Sequence, residues 1–425
     1  MTERFYLKRI FQRYYEENYS KIPMVSFFNK REYGFIPWEE QVMERHLSFE
    51  NSKSLIDFFK IKAPRHAYSS GSLYSQPEIP DMEGKGYQGC DLIIDIDVDH
   101  FYTPCKEEHD IWHCKECNKR GKGMPEKCSK CGNLKLERLS WICEDCLNVA
   151  KNEMIKLIYD FLIPDFGINT EEIKIAFSGH RGYHLKIENE RVRSLLSEER
   201  RELADYITGQ NISFEILGLR EHRNIVYGFF KDNIGWAGKI MDYIEKILKK
   251  PNSEINDLLI NKRKFGLNSP TIKSLLNYKD EFLEMLSINE RNIWSIEGFT
   301  PDTWKKFLRG IVKEIGVEID IPVTIDIHRL IRYPGSLHGK TGFKVQEIAL
   351  DEFDDFNPLD ESKEKLDPIV FLGKKNTHKL KIIENDVPIT KIKGKRYGPY
   401  KKGDLIEVPH HVAVFLLCRE VAKSI

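Results

Sequence analysis

Asp91-Leu92-Ile93-Ile94-Asp95-Ile96-Asp97-Val98-Asp99 reads as a β-strand over Asp91 to Val98 that carries acids along one face. Side chains alternate across a strand, so Asp95 and Asp97 project from the same side, about 7 Å apart along the chain axis. Leu92, Ile94, Ile96 and Val98 then point the other way, into a core. Two neighbouring carboxylates repel each other, and a cation between them relieves the repulsion. Mg²⁺ or Mn²⁺ suits such hard oxygen ligands and keeps room for waters and substrate phosphates. Asp91 and Asp99 share the parity of the central pair, and an acidic face turned to water satisfies the same pattern. The strand by itself therefore leaves both readings open.

Two other segments have matching chemistry. Asp326 lies in Val323-Thr324-Ile325-Asp326-Ile327, where strand character is expected, and His328, Arg329, Arg332, Ser336, His338 and Lys340 follow it. Ser178-Gly179-His180-Arg181-Gly182-Tyr183-His184 forms a glycine-rich turn between expected strands Ile173 to Phe177 and Tyr183 to Ile187. Glycine lets backbone approach a phosphate closely, and arginine supplies a bidentate phosphate contact. Either stretch alone also fits an ordinary polar hairpin. Together with the acid strand they offer acids for a metal and cations for a triphosphate.

The surroundings are those of a globular chain. At 425 residues, with 41% hydrophobic and 31% charged residues, two or three domains are expected. Helices are expected over Phe5 to Tyr19 and about Glu144 to Leu162, and a further strand over Phe343 to Leu350. Helical periods fill Arg191 to about Val317, with Ile240, Ile244, Ile247 and Leu248 on one apolar stripe. No apolar run reaches the ~20 residues that span a bilayer, and Met1 to Tyr19 lacks a signal-peptide core, so a cytoplasmic protein without membrane partners is expected. With 66 basic and 66 acidic residues, overall charge gives no support to nucleic-acid binding. The charge is nevertheless uneven, acidic over Asp351 to Asp367 and basic over Lys374 to Lys402.

Seven of the nine cysteines fall between Cys105 and Cys146. Cys114-x-x-Cys117, Cys128-x-x-Cys131 and Cys143-x-x-Cys146 are knuckles whose thiolates suit tetrahedral Zn²⁺. With Cys105 and His109 they make eight ligands, enough for two closed four-ligand sites. His113 competes as a ligand, and a crossed pairing of the knuckles is an alternative.

In order along the chain, Asp95-Ile96-Asp97, Ser178 to His184 and Asp326-Ile-His-Arg-Leu-Ile-Arg-Tyr-Pro-Gly-Ser-Leu-His-Gly-Lys-Thr-Gly342 resemble the catalytic small subunit of archaeal and eukaryotic DNA primases, the archaeal branch best. Ala63-Pro64-Arg65-His66-Ala67-Tyr68 is also similar, and the resemblance covers roughly residues 1 to 350. It implies an α/β (α+β) primase-type core, a mixed sheet flanked by helices, with an inserted helical subdomain and a zinc-binding module. The corresponding domains are 1–190 with 318–425 (catalytic), 105–146 within it (zinc-binding) and 191–317 (helical). It also implies that Asp95, Asp97 and Asp326 bind the catalytic Mg²⁺ or Mn²⁺, and that Ser178, Arg181, His184, Arg332 and His338 hold the nucleotide phosphates. His180 and Lys340 rank behind them. Cys105, His109, Cys143 and Cys146 look like the family's zinc site, which leaves Cys114, Cys117, Cys128 and Cys131 as an inserted zinc ribbon.

The implied activity is synthesis of primers from nucleoside triphosphates on single-stranded DNA by two-metal in-line transfer, with pyrophosphate as the leaving group. The implied partner is a primase large subunit. A metal-dependent nuclease uses a similar acid trio and is separated by pyrophosphate release. A non-enzymatic zinc-ribbon adaptor for nucleic acid would explain the cysteines and leave the three acids without a role.

Overall fold

The acid strand forms over Leu92–Asp97 in the computed structural model of the chain, which describes all residues except 1–2, 262–264, 289–291, 361–362 and 374–376. Its aliphatic run suits a pleated surface covered on both faces. Leu92, Ile94, Ile96 and Val98 are fully buried, and Ile93 is buried with them. The strand sits at one edge of a four-stranded sheet, in the order Gln346–Ile348, Ile173–Phe177, Gly182–Ile187, Leu92–Asp97. Ile173–Phe177 and Gly182–Ile187 make the expected hairpin. Helix Glu144–Lys156 lies against this sheet and buries Cys146, Leu147, Ala150 and Met154.

A second four-stranded sheet runs Leu330–Arg332, His66–Ser70, Tyr33–Ile36, Glu44–Leu47. Helix Glu3–Asn18 buries Leu7, Phe11, Tyr14 and Tyr15, and it meets helix Ser52–Lys62 through Tyr15 and Phe59, whose rings are 5.0 Å apart. Tyr6 and Ile10 on the same helix are only half-buried. Every ladder among the described residues is antiparallel, where a mixed sheet was expected. Parallel neighbours need a crossover connection, and here adjacent strands are entered from opposite ends instead.

Val323 to Ile327 is not a strand. Ile321–Ile325 is a short helix, capped by the Asp320 side chain accepting from the Val323 amide, with Pro322 in its first turn. An Asp cap followed by proline with its fixed φ nucleates a helical turn and overrides the β-branched composition. Phe343 to Leu350 is strand only over Gln346–Ile348.

The C-terminal residues add a sheet, Leu405–Pro409, Thr377–Ile382, Ala422–Ser424, against helix His410–Cys418. That helix is apolar all round and buried from Val412 to Cys418, as such a helix must be. Lys374 and Lys375 of the basic tract lie outside the described residues. Part of the remaining positive charge pairs internally, Lys391 with Glu144 at 2.8 Å and Lys393 with Asp367.

The chain divides into two compact units, Met1–Lys156 with Ile168–Arg201 and Ile319–Ile425, and Leu157–Gly167 with Glu202–Glu318. The elements above belong to the first. The second opens with a π-helical turn, Leu157–Leu162, where an α-helix was expected to continue. Its main helices are Gly235–Leu248, Asn252–Asn261, Ser269–Asn277, Lys279–Ser287 and Pro301–Ile315. Ile240, Ile244, Ile247 and Leu248 are buried as the stripe required. Trp294 and Trp304 fill its interior, 4.7 Å apart, with the Trp304 indole donating to the Trp294 carbonyl.

Asp91, just before the acid strand, anchors it. Its carboxylate accepts from Arg31 at 2.6 Å and Arg193 at 2.7 Å, and neither Asp91 nor Arg31 is exposed. Arg31 also donates to the Ser70 and Gly71 carbonyls, joining the two sheets. Replacing Asp91 by Asn leaves buried guanidinium charge unpaired. Urea denaturation should show a loss of about 3–5 kcal/mol, and a loss below about 1 kcal/mol would mean the network contributes little.

Candidate active site

Asp95 and Asp97 leave the acid strand on the same side, opposite His184 and Gly182 of the neighbouring strand. The neighbour comes so close at Gly182 that a Cβ there would lie 2.3 Å from the Ile96 carbonyl oxygen, so only glycine fits. The Asp95 side chain is 16% exposed, and its Oδ1 is buried without a hydrogen-bond partner. His184 Nε2 lies 3.4 Å from that oxygen. Burial holds His184 down at about 3, so the ring is neutral and gives Asp95 no charge. Burial, then Asp97, then Asp320 push the Asp95 carboxyl well above the usual carboxylate range. Asp97 is raised by burial as well, against the opposing charges of Arg181, His100 and Arg332. A buried carboxylate oxygen without a donor, beside a second carboxylate, fits a cation.

Asp97, Asp99 and His180 bring their ligand atoms within 4.8 Å of one another, and Asp97 Oδ1 accepts from the Asp99 amide. Asp326 is exposed, caps the end of the Ile321–Ile325 helix and accepts from the His328 amide at 2.9 Å. It is not part of that trio. Its helix is tied to the acid strand at the other end, where the Asp320 amide donates to the Asp95 carbonyl at 2.8 Å. Sequence reasoning missed Asp320, although an acid directly before Ile321-Pro322 is a capping signal.

The basic group gathers around buried histidines. Arg332, on a strand opposite Tyr68, lies over the Tyr68 ring and hydrogen-bonds His66 Nδ1 at 2.9 Å. His66 and His338 meet edge-on at 4.9 Å, and His338 stacks on His180 at 5.2 Å. Gly179 allows the stack, because a Cβ at its φ of +81° would strike the His338 Cβ at 2.7 Å. The hydrogen bonds assign the protons. His338 Nδ1 accepts from the Lys340 amide, and His180 Nε2 accepts from Arg419 at 3.1 Å. His338 therefore carries its proton on Nε2 and His180 on Nδ1. Ser178 is buried, and its Oγ accepts from the His180 amide, which leaves the hydroxyl proton free to donate. Arg419 is a component that no sequence signal marked, since it enters from the C-terminal helix 239 positions away.

Arg181 is placed differently from the phosphate-facing position expected of it. Its side chain has no exposure, its Nη1 lies 2.8 and 2.9 Å from the two Asp110 carboxylate oxygens, and its Nη2 pairs with Asp99. It also donates to the Trp141 carbonyl at 3.0 Å. Nη1 is fully engaged in this arrangement, Nη2 has Asp99 as its partner, and Nε is buried without one.

Seven of the cysteines and His109 fall into two groups of four, Cys105, His109, Cys143 and Cys146, and Cys114, Cys117, Cys128 and Cys131. This is the nested pairing. In the first, Cys105 Sγ and His109 Nε2 lie 3.3 and 3.5 Å from Cys146 Sγ. In the second, Cys114 and Cys131 are 3.5 Å apart, as are Cys117 and Cys128. No cysteine is in a disulfide. His113 turns to Glu137 at 3.4 Å and belongs to neither group. The second group is carried on a three-stranded sheet, Arg120–Lys122, Ile111–Cys114, Leu136–Leu139, with Trp112 beneath it.

Comparison with known proteins matches residues 138–349 to the family model of the DNA primase small subunit. The chain is 30% identical to the DNA primase small subunit PriS of Methanocella arvoryzae, over 98% of this chain and 97% of that protein. It is 31% identical to that of Methanococcoides burtonii, over 100% and 99%. With that of Nitrosopumilus maritimus the identity is 29%, over 98% and 97%. The likeness thus continues past residue 350, where the motifs alone lost it, into the segment that delivers Arg419.

The histidine stack has a pH signature. Burial and then Arg332 hold His66 and His338 well below the ordinary imidazole range, and burial and then Arg419 do so for His180. The unfolded chain protonates these rings near ~6.5, where the folded protein does not. Their contribution to stability is therefore complete above that pH and is lost as pH falls below it, by up to about 1.4 kcal/mol per unit for each ring. Urea midpoints between pH 7.5 and 5.5 should fall for the native chain and fall less steeply for His338→Gln. Equal slopes would contradict the assignment.

Proposed function

The chain belongs to the DNA primase small-subunit family, and from that premise we propose how its residues carry out primer synthesis. As the catalytic primase subunit it is a nucleotidyltransferase. Its substrates are nucleoside triphosphates and a single-stranded DNA template with the growing primer, and its partner is a primase large subunit. No helix among the described residues is long and apolar enough to cross a membrane, and a replication enzyme of this kind works in the cytoplasm. Residues 1–190 and 318–425 form the catalytic domain, 105–146 its zinc module and 191–317 the helical subdomain.

Asp95, Asp97 and Asp326 hold Mg²⁺ or Mn²⁺, and the observation that carries this reading is the orphaned Oδ1 of buried Asp95 beside Asp97. When bound, the ions activate the primer 3′-hydroxyl and neutralise charge developing at the α-phosphate. The chain's own groups do the rest. Arg332 places its charge beside the acids and the histidines alike, since it lowers the pKa of both. His338, with its proton on Nε2, the free hydroxyl proton of Ser178, His184 and the Lys340 ammonium receive the triphosphate. His180 supports His338 by stacking. Neutral imidazoles donate hydrogen bonds without gripping pyrophosphate as ion pairs would, so the leaving group departs. Arg181 orients the acids through Asp99.

The two cysteine groups each hold one Zn²⁺. Four protein ligands close the coordination sphere, which makes both sites structural. His109 donates through Nδ1 to Asp110 at 2.8 Å and so presents Nε2 to the metal, the usual arrangement of a zinc-bound histidine.

Primer synthesis on single-stranded DNA, followed by pyrophosphate release, tests the reading. Asp95→Asn and Asp97→Asn should abolish it with the fold retained, and Arg332→Ala should lower kcat by about 10²-fold. Template cleavage without triphosphate consumption would overturn it. Metal analysis should find two zinc ions per chain, with one lost in Cys143→Ser; a single zinc in the native chain would refute the paired sites.

A further inference from the structure

Asp110 occupies a position that neither metal chemistry explains by itself. It follows the cluster ligand His109, its side chain is 1% exposed, and its carboxylate gathers four short contacts. Oδ1 lies 2.8 Å from His109 Nδ1, accepts from the Trp141 amide at 2.8 Å and meets Arg181 Nη1 at 2.8 Å, while Oδ2 meets the same Nη1 at 2.9 Å. Arg181 continues the line to Asp99, whose amide in turn donates to Asp97 Oδ1 at 2.9 Å. One unbroken series therefore runs from the Cys105, His109, Cys143, Cys146 cluster through Asp110, Arg181 and Asp99 to Asp97.

A second connection runs in parallel. Lys106, next to Cys105 and buried, donates to the carbonyls of Val98 and of Phe101, the latter at 2.5 Å. The turn that leaves the acid strand is thus held from the cluster at two points.

We infer that Asp110 is a positioning residue, through which the Cys/His cluster sets the geometry and charge of the acids for their divalent cation. The inference rests on the metal-binding reading of Asp95 and Asp97. Its physical basis is charge balance in a site with little water. Asp110 neutralises Arg181, so the guanidinium can orient Asp99 without cancelling the charge of Asp97. Without the Asp110 carboxylate, the buried guanidinium has only Asp97 and Asp99 to balance it. It then competes with the cation for them.

Manganese binding to the full chain, read by the electron spin resonance of free Mn²⁺, tests this without reference to activity. Asp110→Asn keeps the shape and can still accept from the Trp141 amide. It should weaken Mn²⁺ binding about 10–100-fold with zinc content unchanged, and raise by a similar factor the Mn²⁺ concentration needed for half-maximal synthesis. Affinity for single-stranded template should not move. Unchanged Mn²⁺ binding overturns the inference. So does loss of zinc from the variant, because Asp110 would then serve the cluster alone. Where Asp110→Asn fails to fold, Asp99→Asn cuts the same series beyond Arg181, and Mn²⁺ binding that survives it intact overturns the inference equally. Native-like Mn²⁺ binding by Asp95→Asn would instead sink the metal-binding reading itself, which keeps the two failures apart.

Discussion

A carboxylate withdrawn from water must find positive charge, hydrogen-bond donors or a proton, and much of this structure follows from three aspartates that meet that demand differently. Asp91 is saturated, with a guanidinium on each oxygen. Asp97 accepts a backbone amide and feels Arg181 from nearby. Asp95 is left with an unpaired oxygen and a neutral histidine beside it. Satisfaction declines along the strand toward the site. The well-paired end tolerates burial cheaply, and the poorly paired end is costly until a cation arrives. The fold thus concentrates its electrostatic strain at Asp95, where a cation would relieve it.

The basic side of the site follows a complementary rule. Several cations converge there, yet the imidazoles among them are kept neutral by burial and by Arg332, Arg419 and Lys340. Fixed charge resides on arginine and lysine, and the histidines contribute oriented donors. Such a division lets a site bind a polyanion and still release it.

The cysteine groups belong to the same architecture. Cys105 and Cys146, 41 positions apart, meet and close the segment between them on itself, and within it the ribbon is a separately closed loop. Closing the outer group fixes where His109 and Asp110 stand, and hence where Arg181 can go. Local metal-ligand spacing is in this way converted into the placement of a residue from a different hairpin.

Much of the site was legible in the residues. Strand parity put Asp95 and Asp97 on one side, knuckle spacing gave two groups of four ligands, and the order of three polar motifs gave the family. These are short-range properties, set by the period of a strand and the reach of a few bonds, so the chain carries them wherever it folds. Asp326 shows their limit, since a β-branched run forecast a strand and Asp320 with Pro322 made a helix. The destination of Arg181, the anchoring by Asp320, the clamp at Asp110 and the arrival of Arg419 were decided by the tertiary structure. Buried charges choose partners by which groups share a low-dielectric space, and only the packed chain brings residues 71, 82 and 239 positions apart within that reach.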